Sequence, residues 1–289
     1  MPVFAQPIIY VVLVWWFSTG AILYLDGLHV RTFRWTVAGA SCVMAISVAV
    51  VLATLSDTTP FGAYLAFTAS LMIWGWNEVL FLTGFVTGPY RQACPADARG
   101  WRHFRYASLS ILHHELLILV SAMCLLIVTH GAVNQVASQT FLVLWVMRLS
   151  TKLNIFLGVP NLSEEFLPDH LIYLASFFRR RAMNLLFPVS VTASTVALVI
   201  LIMRTWAPGT TDFERTGLSL IATLVALGLV EHWFLVLPIR VSDLWSWGFA
   251  SRAKDPLKKK ATSNPLGLRR DVSLTKPAQT GPITPAVIP

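Results

Sequence analysis

Apolar runs of roughly 20 residues recur along this sequence, and a helix rising about 1.5 Å per residue needs that many to cross the hydrocarbon of a bilayer. Cut at charges and at Pro/Gly clusters, the chain yields seven such runs: approximately 5–25, 35–55, 61–86, 107–129, 133–157, 184–203 and 217–239. Backbone polar groups in lipid find no water, so each run must satisfy its own N–H and C=O groups as a helix. The pattern predicts an all-α, polytopic membrane bundle of seven transmembrane helices within residues 1–250. Composition supports this at one decisive point. Only 12% of the 289 residues are charged, about half the share usual in soluble domains, which excludes a soluble globular protein. The first run is long enough to span and lacks a basic flank, so a retained helix is expected there rather than a signal peptide.

The count of seven is tested by where the basic residues fall, because short loops rich in Lys and Arg stay in the cytoplasm. With Arg148 and Lys152 assigned to the lower part of the fifth run, the Lys and Arg residues number two in 26–34, four in 87–106, five in 148–183 and nine in 240–289. The remaining two, Arg204 and Arg215, flank the opposite side. Merging or dropping a helix would place the polybasic tail opposite the basic loops. A periplasmic N-terminus and a cytoplasmic C-terminus are therefore expected. The net charge of +8 sits in loops beside apolar spans, so the expected partner is an anionic membrane face and not nucleic acid.

Between the fifth and sixth runs, residues 162–181 mix Glu164, Glu165, Asp169 and His170 with Leu171, Ile172, Leu174, Phe177 and Phe178. This predicts an amphipathic helix lying on the cytoplasmic surface. From about 251 to 289 the chain carries Lys258-Lys259-Lys260, Arg269-Arg270 and scattered prolines without an apolar face, the composition of a disordered basic tail. Cys42, Cys94 and Cys124 show no ligand spacing, which argues against a disulfide framework or a zinc finger. No internal repeat supports an inverted-repeat transporter.

Ionisable side chains inside a span are costly and point to function or to a buried partner. Glu78 lies in the third run, His113, His114 and Glu115 in the fourth, Arg148 and Lys152 in the fifth, Glu231 and His232 in the seventh. Glu78, Glu115 and Glu231 each stand eight residues from the inner end of their run, which places the charges in one layer roughly 8–14 Å beneath the cytoplasmic surface. Three readings fit. The first is an ion-pair network of the three glutamates against Arg148 and Lys152 that specifies helix packing. The second is an iron or tetrapyrrole site with ligands drawn from Glu78, His114, Glu115, Glu231 and His232, joined by Glu165 or His170 from the surface helix, and with Arg148 or Lys152 receiving a propionate. The third is a polar relay or a path for an anionic substrate. Adjacent pairs such as His114-Glu115 and Glu231-His232 point about 100° apart on a helix, unlike the Glu-x-x-His pair of di-iron bundles.

Trp74 and Trp76 flank Gly75 and offer faces for a flat pigment, although two residues apart they lie on different faces, as packing residues do. Cys94-Pro95 is similar to haem-responsive Cys-Pro dipeptides and equally to a plain turn. Asn134, Asn154 and Asn161 are expected to bond between helices or to cap them. Neither the His clusters of membrane desaturases nor an HExxH helix, a phosphate-binding glycine loop or a nucleophile elbow is present.

The segments WWFSTGAILYLDGL (15–28), WGWNEVLFLTGFVTGP (74–89), HHELLIL (113–119), LWVMRLSTKLNIFLGVPNL (144–162), EEFLPDHLIYLASFF (164–178) and EHWFLVLP (231–238) together resemble the PuhE family, photosynthetic-complex assembly proteins of anoxygenic phototrophic bacteria. The resemblance covers about residues 10–248. It implies a multi-pass protein of the bacterial inner membrane, encoded beside the reaction-centre H subunit, that affects reaction-centre and light-harvesting assembly and bacteriochlorophyll supply. Its implied partners are photosynthetic complex subunits or bacteriochlorophyll biosynthesis enzymes. The resemblance carries no catalytic residue. A non-catalytic assembly factor is the leading expectation, and a membrane carboxylate/histidine metalloenzyme acting on a tetrapyrrole is the alternative.

Overall fold

The computed structural model describes residues 5–254, and its long helices are α1 (Ala5–Asp26), α2 (Phe33–Ala53), α3 (Pro60–Leu82), α4 (Gly100–Thr129), α5 (Val136–Leu157), α6 (Leu186–Thr205) and α7 (Asp212–Phe234). All seven are long and apolar enough to cross a membrane, and each overlaps one of the seven expected runs. The described residues contain no β-strand beyond an isolated bridge between Val159 and Arg180. The basic tail expected beyond 251 lies, from residue 255, outside the described residues.

Local chemistry marks the helix starts. Thr59 caps α3 by accepting from the Gly62 N–H, with Pro60 following where a missing N–H costs nothing. Thr211 and Glu214 close a capping box on α7. Just before α6, Asn184 serves two helices at once. Its carbonyl accepts from the Leu186 and Phe187 N–H groups at the start of α6, while its amide donates to the carbonyls of Asn154 and Gly158 at the end of α5. The first four N–H groups of a helix lack intrahelical partners, and this one side chain satisfies two of them in α6.

Burial identifies the centre of the bundle. In the most apolar stretch of α3, 61% of residues are buried, and in α7 50%, against 11–22% in the other five helices. α3 and α7 thus stand inside, and α1, α2, α4, α5 and α6 turn apolar side chains such as Leu13, Ile46, Val120 and Val199 outward. Helices in lipid gain little from the hydrophobic effect and associate through close packing of small residues and through interhelical hydrogen bonds. Gly228 of α7 is one such contact: a Cβ there would lie 2.6 Å from Cε of Met147 on α5.

The loops divide into two ends. At one, Asn134 donates to the carbonyls of Asp57 and Gly62 and accepts from the Val136 N–H, tying two short connections together. At the other, which carries most of the arginines, Asn161 donates to Phe234 O and Leu237 O, Trp245 donates to Trp16 O, and Arg252 pairs with Asp26. We refer to this second side as the basic end.

The surface segment differs from the expected α-helix. It forms two 3₁₀ stretches, Glu164–Phe166 and Asp169–Phe177. Pro168 between them is extended and supplies no N–H, so a continuous helix cannot pass through it. Leu171, Leu174 and Phe177 recur every third residue and are all buried. A helix of three residues per turn aligns them on one face, where 3.6 would not. Leu171 and Leu174 close over Phe81 at the end of α3, and each contributes about 1.5–3 kcal/mol by leaving water.

Candidate functional site

The intramembrane charges lie on four helices, and α5 organises them through its two faces. Arg148 and Lys152 are four residues apart and share one face. Arg148 Nη2 stands 3.5 Å from Glu78 Oε2 on α3, and Lys152 Nζ donates to Glu115 Oε1 on α4 at 2.6 Å. Ser150 and Asn154 occupy the other face and meet α6 and α7. The Ser150 hydroxyl lies 2.9 Å from His232 Nε2 and donates to Ser190 Oγ at 2.9 Å, while Asn154 Nδ2 donates to the same Ser190 oxygen at 3.1 Å. His232 Nδ1 lies 2.8 Å from the Gly228 carbonyl one turn back. The close approach of α5 at Gly228 brings this imidazole within reach of Ser150.

Glu231 accepts a hydrogen bond from the Trp15 indole of α1 at 2.9 Å and is within electrostatic reach of Arg148 and Glu78. The indole N–H supplies this carboxyl group with one direct hydrogen bond between α1 and α7. His113 points outward, whereas His114 is fully buried with its ring stacked on Phe81, centroids 4.3 Å apart. Neither His114 nitrogen has a hydrogen-bond partner among the described residues.

The shared layer therefore resolves into acid–base and hydrogen-bonded pairs. A metal centre needs several ligands about 2 Å from one point, yet among the described residues no three His, Cys, Asp or Glu side chains are grouped so as to hold an ion. The ligand set drawn from Glu78, His114, Glu115, Glu231 and His232 is not assembled, because each carboxylate faces a cation or an indole and His232 faces hydroxyl and carbonyl oxygens. Glu165 and His170 do not join it. Glu165 is exposed and its backbone carbonyl accepts from Arg252, and His170 Nε2 lies 2.8 Å from Leu82 O at the end of α3. Trp74 packs edge-on against Phe141, and Trp76 donates to Ser41 Oγ of α2 at 3.0 Å, so both are engaged in helix packing. Cys94 points its thiol at the Pro95 carbonyl, and burial pushes that thiol up from its ordinary value, away from the thiolate a haem iron binds.

Several partners of these charges carried no signal in the sequence. Trp15 reads as one more interfacial aromatic, and Ser150 and Ser190 as ordinary small residues of apolar helices. Asp26 and Arg252 lie at the two ends of the membrane domain, and only the fold brings them together at 2.8 Å. An isolated acid at the foot of an apolar run is the available hint, since such a group needs a partner from elsewhere.

Residues 1–256 match the family described as "Protein of unknown function (DUF3623)". A relative from Rhodobacter capsulatus, described as "Uncharacterized 30.4 kDa protein in puhA 5'region", is 39% identical over 261 residues, spanning 88% of this chain and 93% of the relative. No solved structure matches the chain. With nearly its whole membrane domain covered in both comparisons, the chain belongs to the DUF3623 family.

Proposed function

We propose that this chain is a non-catalytic integral membrane factor for the assembly of photosynthetic reaction-centre and light-harvesting complexes, which also affects bacteriochlorophyll supply. The observation that carries the reading is how the intramembrane charges are engaged: Glu78 pairs with Arg148, Glu115 pairs with Lys152, and Glu231 accepts a hydrogen bond from Trp15. Ion pairs joining α3 and α4 to α5, and a hydrogen bond joining α1 to α7, specify how these helices dock. The placement of the Rhodobacter capsulatus relative in the puhA 5' region supplies the biological context, in agreement with the resemblance to PuhE. The basic end faces the cytoplasm of a bacterial inner membrane, since short loops rich in Arg are retained there, and it lies against anionic lipid. Partner subunits or pigment enzymes meet the protein at that end.

Deletion of the gene in a phototrophic host tests this. The expected result is a lower yield of both complexes per unit of membrane protein, with less total bacteriochlorophyll and no accumulated precursor. Accumulation of a single pigment precursor, or iron at one or two atoms per chain in detergent-purified protein, overturns the reading in favour of an enzyme.

A further inference from the structure

Two adjoining cavities of about 600 and 280 Å³ open at the basic end, between the start of α2, the loop after α3 and the 3₁₀ stretch Asp169–Phe177. Val30, Phe33, Thr83 and Gly84 line both. Arg31 and Arg34 line the larger and Arg91 the smaller, and no acidic residue lines either. None of these three arginines is within ion-pair distance of a carboxylate among the described residues. Three guanidinium groups without a carboxylate partner thus line one recess, a setting that favours an anion.

A second observation points into the same recess. Thr87 lines the smaller cavity and is 1% exposed, yet its hydroxyl has no hydrogen-bond partner of ordinary geometry. The Tyr173 hydroxyl, in the same wall, interacts with Thr87 but is likewise unbonded by distance and angle. The two hydroxyls face one another beside Arg91 without completing a hydrogen bond of ordinary geometry, which leaves donor capacity for a ligand. Gly84 is in the left-handed region at φ 79°, and a Cβ there would stand 3.2 Å from the His170 ring. The cavity wall thus depends on a residue without a side chain.

Apart from Thr83, Gly84 and His170, the remainder of the lining is apolar. Val30 and Phe85 border the larger cavity and are 67% and 52% exposed, and Trp35 beyond Arg34 is 69% exposed. All lie where spans give way to loops, the depth at which a lipid headgroup meets its acyl chains.

We infer that this recess binds the phosphate of an anionic phospholipid, with Arg31, Arg34 and Arg91 as counter-charges, the Thr87 and Tyr173 hydroxyls donating to phosphate oxygens, and the acyl chains lying over Val30, Phe85 and Trp35. Arginine is suited to this because its fork of donors matches phosphate oxygens. The inference does not depend on the assembly role.

The test uses the full chain in detergent, titrated with phosphatidylglycerol or phosphatidylcholine and read by native mass spectrometry. One bound phosphatidylglycerol per chain is expected, resisting delipidation at least about tenfold better than phosphatidylcholine, given the attraction of each basic residue for anionic headgroups. The triple variant R31Q/R34Q/R91Q should abolish the preference, whereas R99Q/R105Q/R240Q, which removes equal charge from exposed arginines outside the cavities, should leave it within about twofold. Thr87→Val is close to isosteric and deletes a hydroxyl that makes no hydrogen bond of ordinary geometry, and it should weaken retention severalfold even if the triple variant fails to express. Equal loss in the two triple variants, or no effect of Thr87→Val, overturns the site. Inorganic phosphate binding alone with the same dependence on Arg91 and Thr87 overturns the lipid in favour of a soluble phosphate.

Discussion

Arg252 and Asp26 are 226 positions apart and joined by two hydrogen bonds, from Nη2 at 2.8 Å and Nε at 3.3 Å to the same carboxylate oxygen. Arg252 also donates to the carbonyls of Glu165, Phe166 and Leu167. One guanidinium thus holds the foot of α1, the segment after α7 and the surface 3₁₀ stretch together. Around it, Trp15 and Phe166 pack edge-on against Trp245, and Trp247 lies against Trp16 and Phe17.

Removing Arg252 strands a carboxylate that is 1% exposed. Breaking a buried pair from one side costs about 3–5 kcal/mol, so Arg252→Gln should lower the unfolding temperature clearly in detergent. Asp26→Asn keeps an acceptor for the guanidinium and should cost less than half as much. The double variant should be less destabilised than the sum of the two. Purely additive losses in a thermal double-mutant cycle would contradict this assignment of the pair.

The two intramembrane ion pairs should differ in strength. Lys152 and Glu115 are 2.6 Å apart with side chains 19% and 24% exposed, whereas Arg148 is 43% exposed and 3.5 Å from Glu78. The shorter pair, in which neither partner is as exposed as Arg148, should show the larger coupling, within the range of about 0.5–3 kcal/mol found for residues in contact. Cycles built from Lys152→Met with Glu115→Gln, and from Arg148→Met with Glu78→Gln, measure both. If the proposed function holds, complex yield in cells should follow the amount of protein remaining and nothing else.

Much of this bundle is legible before any coordinates. Seven spans follow from lipid excluding unpaired backbone groups, and the clustering of Arg31, Arg34, Arg91 and Arg179 at one end follows from their loops. The layer holding Glu78, Glu115 and Glu231 also follows from counting along helices. Rotation about each helix axis does not, because spans that are apolar all round carry little record of which face turns inward. Whether Glu78 meets a ligand or Arg148 is decided by that rotation. The 3₁₀ character of 169–177 was open to reading from the spacing of Leu171, Leu174 and Phe177, a period of three that a helical expectation of 3.6 overlooks.

His114 supplies an unusual expectation. Its buried ring has a stacking partner in Phe81 but no hydrogen bond at either nitrogen among the described residues. Replacing a buried, unsatisfied polar group by an apolar one of similar shape removes a penalty of about 1–3 kcal/mol. His114→Phe should therefore leave the protein as stable as the original or more so, with unchanged complex yield. A variant that folds but loses function would show that the imidazole acts on a ligand and would overturn the packing role.

The final expectation concerns pH. His170 lies outside the spans, and burial, the largest influence, holds its imidazole below the ordinary 6.5, outweighing the Leu82 carbonyl and Asp169, which favour the charged form, while Arg252 adds to the depression. A ring neutral in the fold and protonated when unfolded makes unfolding take up a proton. The stability it contributes is complete above the unfolded value of about 6.5 and is lost as pH falls from there through the lower folded value. His170→Gln retains a donor for Leu82 O and cannot titrate. The unfolding temperature of this variant should therefore fall less than that of the unmodified protein between pH 7.5 and 5, even though the other histidines titrate equally in both. Parallel curves over that interval would show that the fold does not hold this ring below its ordinary value.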